Sequence, residues 1–213
     1  MRTLQVQGQE FKKQVIMKEA ASILSQKPYE AVTMDEVAKA LGCGKSTLYK
    51  YFESKDLLFA LVIYGQLEDF MQQLEKSCLQ EPNTLQALNK CLETSYWFFQ
   101  QNRQLFSSWL HYESNQEVRT EFFDKVHHLM EDKQKKVAAL FQRGMDAGLV
   151  NASFDPSVLA YIVEKFFLSC VFSPLINDPE EDVQNLFTLK HILCSGILTP
   201  AALAQTEFAP AAV

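Results

Sequence analysis

Glycine and proline are scarce in this chain, seven of each among 213 residues, and several of them punctuate stretches whose apolar residues recur at helical spacing. An all-β chain of this length needs many more turn residues, so the expected class is all-α. Ile16, Ala20, Ile23 and Leu24 fall at i, i+4, i+7 and i+8, marking a helix over about 10–26 that Pro28 ends. Thr33 opens a second helix as N-cap, with Glu36 three residues on in a capping box. Gly42-Cys43-Gly44 breaks that helix, and a short third one runs from Lys45 to Phe52. Ser54 caps a fourth, which continues toward Cys78. Helices over 84–101, 104–112 and 117–147 follow, the last stopped by Gly148 at the C′ position. Asp155-Pro156 and Asp178-Pro179 each set a cap before a proline at the first helical position, opening helices that reach Ser173 and Ile197. The pattern gives about nine helices and no strand. They divide into an N-terminal three-helix head over 1–53 and a larger helical bundle over 54–198. An Ala- and Pro-rich tail over 199–213 is expected to be disordered.

An apolar fraction of 47% is ordinary for a globular protein and excludes a disordered chain. The longest uninterrupted apolar run, Leu57 to Tyr64, is eight residues, whereas a spanning helix needs about 20. The N-terminal Gln5, Gln7, Gln9 and Glu10 do not form the apolar core of a signal peptide. The expected location is therefore the cytoplasm, with no membrane partner. The five cysteines (Cys43, Cys78, Cys91, Cys170 and Cys194) lack zinc-site spacing and read as small buried thiols. The net charge of −6 is unevenly spread. Residues 1–60 hold nine Lys/Arg against seven Asp/Glu, a balance of +2, and the remainder 11 against 19, a balance of −8. A mildly basic head on an acidic body suits phosphate contact by the head alone.

The segment from Thr33 to Lys55, TMDEVAKALGCGKSTLYKYFESK, has the physical outline of a helix-turn-helix. Ala38 is small enough for two helices to cross there, and Gly42 is free to take positive φ in the turn. Val37, Leu41 and Leu48 lock the second helix onto the first. That leaves Lys45, Ser46, Thr47, Tyr49 and Lys50 as an outward polar face able to reach base edges and phosphates. Gly44-Lys45-Ser46 looks like the end of a phosphate-binding loop, but Lys39 stands where that loop needs glycine and no strand precedes it.

These residues resemble the DNA-binding head of TetR-family regulators. That head reads as an Ala-Ala pair, an aromatic, a Thr cap, an Ile/Val-Ala pair and a Gly turn. Leu-Tyr-x-(His/Tyr)-Phe-x-x-Lys-x-x-Leu then follows. Here the matching residues are Ala20-Ala21, Tyr29, Thr33, Val37-Ala38, Gly42 and the run from Leu48 to Leu58. The likeness covers residues 13 to 60. It implies phosphate contacts from Thr33, Tyr49, Tyr51 and Lys55, and base reading by Lys45, Ser46, Thr47 and Lys50. Pro28 stands where glycine is common, and Cys43-Gly44 replaces a Val and Ser-like pair.

The body concentrates aromatic residues between 96 and 123. Core packing explains any one of them, but together with nearby histidines they also suit an apolar pocket with a few polar anchors. Tyr96, Trp97, Trp109, Tyr112, Phe123, His127 and Phe166 are the candidate contacts for a small apolar or aromatic effector. The resemblance places such pockets among the middle helices. His127 and His128 are adjacent on a helix and point about 100° apart, so no metal site is expected. No cofactor and no catalytic constellation is expected either. The last two helices are apolar too far round for one-sided surface helices. Leu159, Val163, Phe167, Leu186, Leu189 and Leu193 are the candidate contacts of a homodimer, which in the resembled family forms a four-helix bundle. A two-fold dimer matches a palindromic double-stranded operator. The expected function is a repressor released from its operator by ligand. The alternative is a TetR-like architectural or interaction protein without a small-molecule switch.

Overall fold

A computed structural model of the chain describes residues 2–114, 121–171 and 182–208. Ten α-helices are formed by these residues: α1 (Arg2–Leu24), α2 (Met34–Ala40), α3 (Lys45–Tyr49), α4 (Lys55–Leu74), α5 (Thr84–Gln101), α6 (Arg103–Ser114), α7 (Glu121–Asp146), α8 (Pro156–Val171), α9 (Asp182–Ile197) and α10 (Pro200–Leu203). No strand occurs among them beyond an isolated antiparallel bridge between Val150 and Leu198. The all-α expectation holds, and α10 is additional to the nine expected helices. The Asp178-Pro179 cap and residues 117–120 of the expected long helix lie outside the described residues. No described helix is long and apolar enough to cross a membrane. The chain forms two compact units, residues 1–68 with 102–128 and residues 69–101 with 129–213. The divisions pass within α4 and α7 and between α5 and α6, not at residue 54.

In the first unit α1 and α2 pack together, and Ile16, Ala20, Leu24, Val37 and Ala38 are all buried. Thr33 caps α2 as expected, its Oγ1 accepting the Glu36 N–H at 3.2 Å. The reciprocal half of the capping box is replaced by an ion pair, because the Glu36 carboxylate is taken by the Lys27 ammonium. Gly42 then turns the chain at φ +64°. Its N–H reaches the Lys39 carbonyl at 3.1 Å and the Cys43 N–H reaches that of Ala38 at 2.9 Å. This double closure satisfies the carbonyls left over at the end of α2. α3 follows at once, with Leu48 and then Phe52 completely buried. Ser54 caps α4 by accepting the Leu57 N–H at 3.0 Å.

In the second unit α4 ends in a π-helical turn, Glu75–Leu79, and Phe70 stacks on Phe98 of α5 at 4.1 Å between ring centroids. α7 terminates at Gly148, φ +69°. The Leu149 N–H closes on the Gly144 carbonyl at 2.9 Å and the Gly148 N–H on that of Met145 at 3.0 Å. Asp155 caps α8 through Oδ1, which accepts the N–H groups of Ser157 and Val158 at 2.9 Å. The tail departs from expectation. Thr199 caps α10 and also donates to the Gly148 carbonyl at 2.9 Å. Ala202 and Phe208 are buried, so the chain from 199 to 208 packs as part of this unit. Alanine and phenylalanine there supply apolar surface to bury, which a composition-based reading of disorder overlooks.

At Gly148 no atom would crowd an added methyl group, so only the backbone opposes substitution. Gly148→Ala is expected to cost about 1–2 kcal/mol, read as a lower urea midpoint at unchanged slope.

Candidate nucleic-acid interface and ligand cavity

α3 is a short helix with one anchored side. Leu48 is 0% exposed while Lys45, Ser46, Thr47, Tyr49 and Lys50 are all exposed. Burial of one leucine, about 1.5–3 kcal/mol, thus fixes which way the five polar side chains face. Thr33 is exposed at the start of α2 and Tyr51 is half-buried just beyond α3. Lys45 Nζ lies 2.9 Å from Asp35 Oδ2 of α2. This hydrogen bond, with the charge of Asp35, holds the Lys45 ammonium above its ordinary pKa. Gly44, at the N-cap of α3, provides no side-chain cap, which leaves that task undone at the helix start.

Lys55 does not join this face. Its ammonium donates to the carbonyls of Tyr29 and Val32 at 3.1 and 3.2 Å and lies 3.9 Å from the centre of the Tyr29 ring. Two of its three protons are therefore committed within the head. Tyr29 is itself a junction. Its N–H reaches Ser108 Oγ of α6 at 3.2 Å, and its hydroxyl donates to the Asp56 carboxylate of α4. Its ring packs on Phe59 and Tyr112 at 4.5 and 5.2 Å. Tyr112 also hydrogen-bonds Asp56. Burial first, then Asp56, pushes both phenols up, Tyr112 to about 12. Both stay protonated at neutral pH and able to donate.

The aromatic residues expected to form one pocket are divided among different tasks. Trp109 and Tyr112 cluster with Phe59 beside Tyr29 in the first unit. His127 is exposed. In the second unit Tyr96 is buried edge-to-face against Trp97 at 5.3 Å, and Phe166 is half-buried. The Phe123 side chain lies outside the described residues. None of the described six lines the large cavity of the second unit, which measures about 480 Å³. Its apolar wall includes Leu88, Leu92, Phe99, Phe141, Val163 and Ile197, and residues 205–208 close one side. Charged groups also line it. Lys133, 5% exposed, pairs with Glu164 at 2.5 Å. Glu93 and Glu207 both hold the buried Lys190, at 2.9 and 3.0 Å. Burial pulls the Lys190 ammonium down, but the two carboxylates outweigh it and keep it above its ordinary pKa. Cys91 also lines the cavity, and burial pushes its thiol up to about 12, so it is no nucleophile at neutral pH.

Sequence reasoning missed these lysines although the signal was present. Lys133 stands between Val126, Met130, Val137 and Leu140 in the apolar stripe of α7. Lys190 stands likewise between Leu186, Leu193 and Ile197 of α9. A lysine inside a 3-4 repeat must be paired or functional. The candidate dimer residues need correction too. Leu159, Val163, Leu186, Leu189 and Leu193 are buried within the chain's own core, and the Phe167 side chain lies outside the described residues. The apolar side chains left exposed on α8 and α9 instead include Val158, Tyr161, Ile162, Val183 and Ile192, from 50% to 70% exposed.

Residues 16–62 match the family model described as bacterial regulatory proteins, tetR family. The chain is 27% identical over 166 residues to the uncharacterized HTH-type transcriptional regulator YhgD of Bacillus subtilis, covering 76% of this chain and 83% of that one. The fold resembles Bacillus subtilis FadR, solved in complex with stearoyl-CoA, with a TM-score of 0.69 at 16% identity over 85% of this chain and 97% of that chain. It also resembles AibR, solved with isovaleryl coenzyme A and operator DNA, with a TM-score of 0.63 at 17% identity over 84% and 96%. These likenesses support a DNA-binding transcriptional regulator of the TetR type, with residues 16–62 similar to that family's DNA-binding head.

Removing the Tyr29 hydroxyl tests the junction. Tyr29→Phe is expected to lower stability by about 1–2 kcal/mol at neutral pH. Because the folded state holds the phenolic protons more tightly, the tyrosine contribution is complete below the unfolded value of 10.0 and is lost as pH rises through the folded value. Stability of the native sequence should therefore fall above pH 10, and more shallowly in Tyr29→Phe, as read by urea unfolding across pH 8 to 11.

Proposed function

We propose that this chain is a cytoplasmic, homodimeric, sequence-specific repressor that leaves its operator when a small apolar ligand occupies the cavity of the second unit. The single observation that carries the DNA-reading half is the arrangement of α3, whose buried Leu48 turns Lys45, Ser46, Thr47, Tyr49 and Lys50 outward together. Lys45, Ser46, Thr47 and Lys50 read base edges. Thr33, Tyr49 and Tyr51 contact phosphate. Lys55 acts indirectly, by holding the loop that leads into α2.

The cavity supports the ligand half. A space of about 480 Å³ with a mainly apolar wall is of the size that holds a small molecule. FadR and AibR, solved with acyl-CoA molecules, are consistent with an effector carrying an apolar chain. Ligand favours a conformation in which the two heads of the dimer are wrongly spaced, and coupling of about 1–3 kcal/mol suffices to release DNA. α4 runs unbroken from Lys55 to Leu74 and is the proposed lever. Dimerisation uses the outer face of α8 and α9, where apolar side chains otherwise meet water.

Selection from a random duplex pool should yield a palindrome; enrichment of no sequence would overturn the specific-regulator reading. Against the selected site, Lys50→Ala should cost about 1–3 kcal/mol and relax preference at one position per half-site. For the dimer, sedimentation should show two copies for the native sequence and one for Ile162→Glu. A dimer unchanged by that substitution would exclude this face.

A further inference from the structure

Three ion-pairing carboxylates border the cavity close to buried ammonium groups, and they are not equivalent. Lys133 has Glu164 as its partner at 2.5 Å, and Lys133 is almost wholly buried. Removing Glu164 would strand a buried charge, which is strongly destabilising. Lys190 is buried to the same degree but holds two carboxylates, from Glu93 of α5 and from Glu207 of the C-terminal segment. Glu207 can leave and still leave Lys190 paired with Glu93. It is also the most exposed of the three, at 55% of its side chain. Its segment is tied down chiefly through Phe208, which stacks on His191 at 5.1 Å and packs on Phe187 at 5.0 Å.

We propose that Glu207, a residue of the cavity wall, occupies the place of a ligand carboxylate, so that the effector is an apolar monocarboxylic acid whose anionic end replaces Glu207 on Lys190, an ammonium held by the wall residues Glu93 and Glu207 but not itself on the wall. Its chain lies among Leu88, Leu92, Phe141, Val163 and Ile197. Exchange of one carboxylate for another preserves the charge balance around Lys190, whereas a neutral ligand that displaced Glu207 would not. The exchange also frees residues 205–208 from one wall of the cavity, which ties occupancy to the position of the C-terminal segment. This inference rests on the cavity being the effector site.

Calorimetric titration of the full-length protein at neutral pH with decanoate and with decan-1-ol distinguishes the possibilities. Decanoate should bind about tenfold or more tightly than the alcohol, the range of one charge-assisted hydrogen bond. Glu207→Gln removes the internal competitor and should tighten decanoate several-fold while leaving decan-1-ol unchanged. Lys190→Gln, checked for native helicity, should erase the preference for the acid. Equal affinities in the native protein, or a Glu207→Gln variant that binds decanoate no better, would overturn the acid assignment and leave the cavity as an effector site. Binding of neither probe would overturn both.

Discussion

Tyr29 commits each of its groups to a different part of the first unit. Its N–H goes to Ser108 of α6, its carbonyl accepts from Lys55, its hydroxyl goes to Asp56 of α4 and its ring lies on Phe59. The loop it occupies leads directly into Thr33 and α2, so the entry angle of the helix-turn-helix follows from where this one side chain is held. Leu48 then sets the rotation of α3 about its own axis. Position and rotation together decide where Lys45, Thr47 and Lys50 point, and both depend on buried contacts made by other residues. A reading helix as short as α3 has little stability of its own, so it depends on these anchors.

The second unit meets a different constraint, the cost of charge in an apolar interior. Lys133 and Lys190 are retained there because carboxylates neutralise them at hydrogen-bond distance. Replacing either lysine with leucine would produce an ordinary helical core. The charges give the cavity wall a polarity that a purely apolar one lacks. The C-terminal segment takes part in that polarity through Glu207, which is why its ordering belongs with the cavity.

Legibility followed the range of the interactions involved. Thr33, Gly42, Ser54, Gly148 and Asp155 act on their own helix ends within a few residues, and each was readable in the sequence. Glu36 was misassigned because its partner, Lys27, competes with the local capping geometry. The partners of Lys55 within the head were not legible, because they are backbone carbonyls 23 and 26 residues away, which no spacing rule exposes. The aromatic run from 96 to 123 looked like one site, yet its members belong to both compact units, since aromatic richness does not say which neighbour each ring meets.

The sequence by itself determined the all-α class, the order of the helices, their caps and the polar face of α3, because these depend on periodicity and on contacts within a turn or two. Only the tertiary structure decided which face of α8 and α9 is buried. Both helices are apolar around most of their circumference, so periodicity cannot choose between the side that carries Leu159 and Leu189 and the side that carries Ile162 and Ile192. The structure also brought Lys133 and the carboxylates that hold Lys133 and Lys190 to one cavity, because these groups come from different helices and from the C-terminal segment.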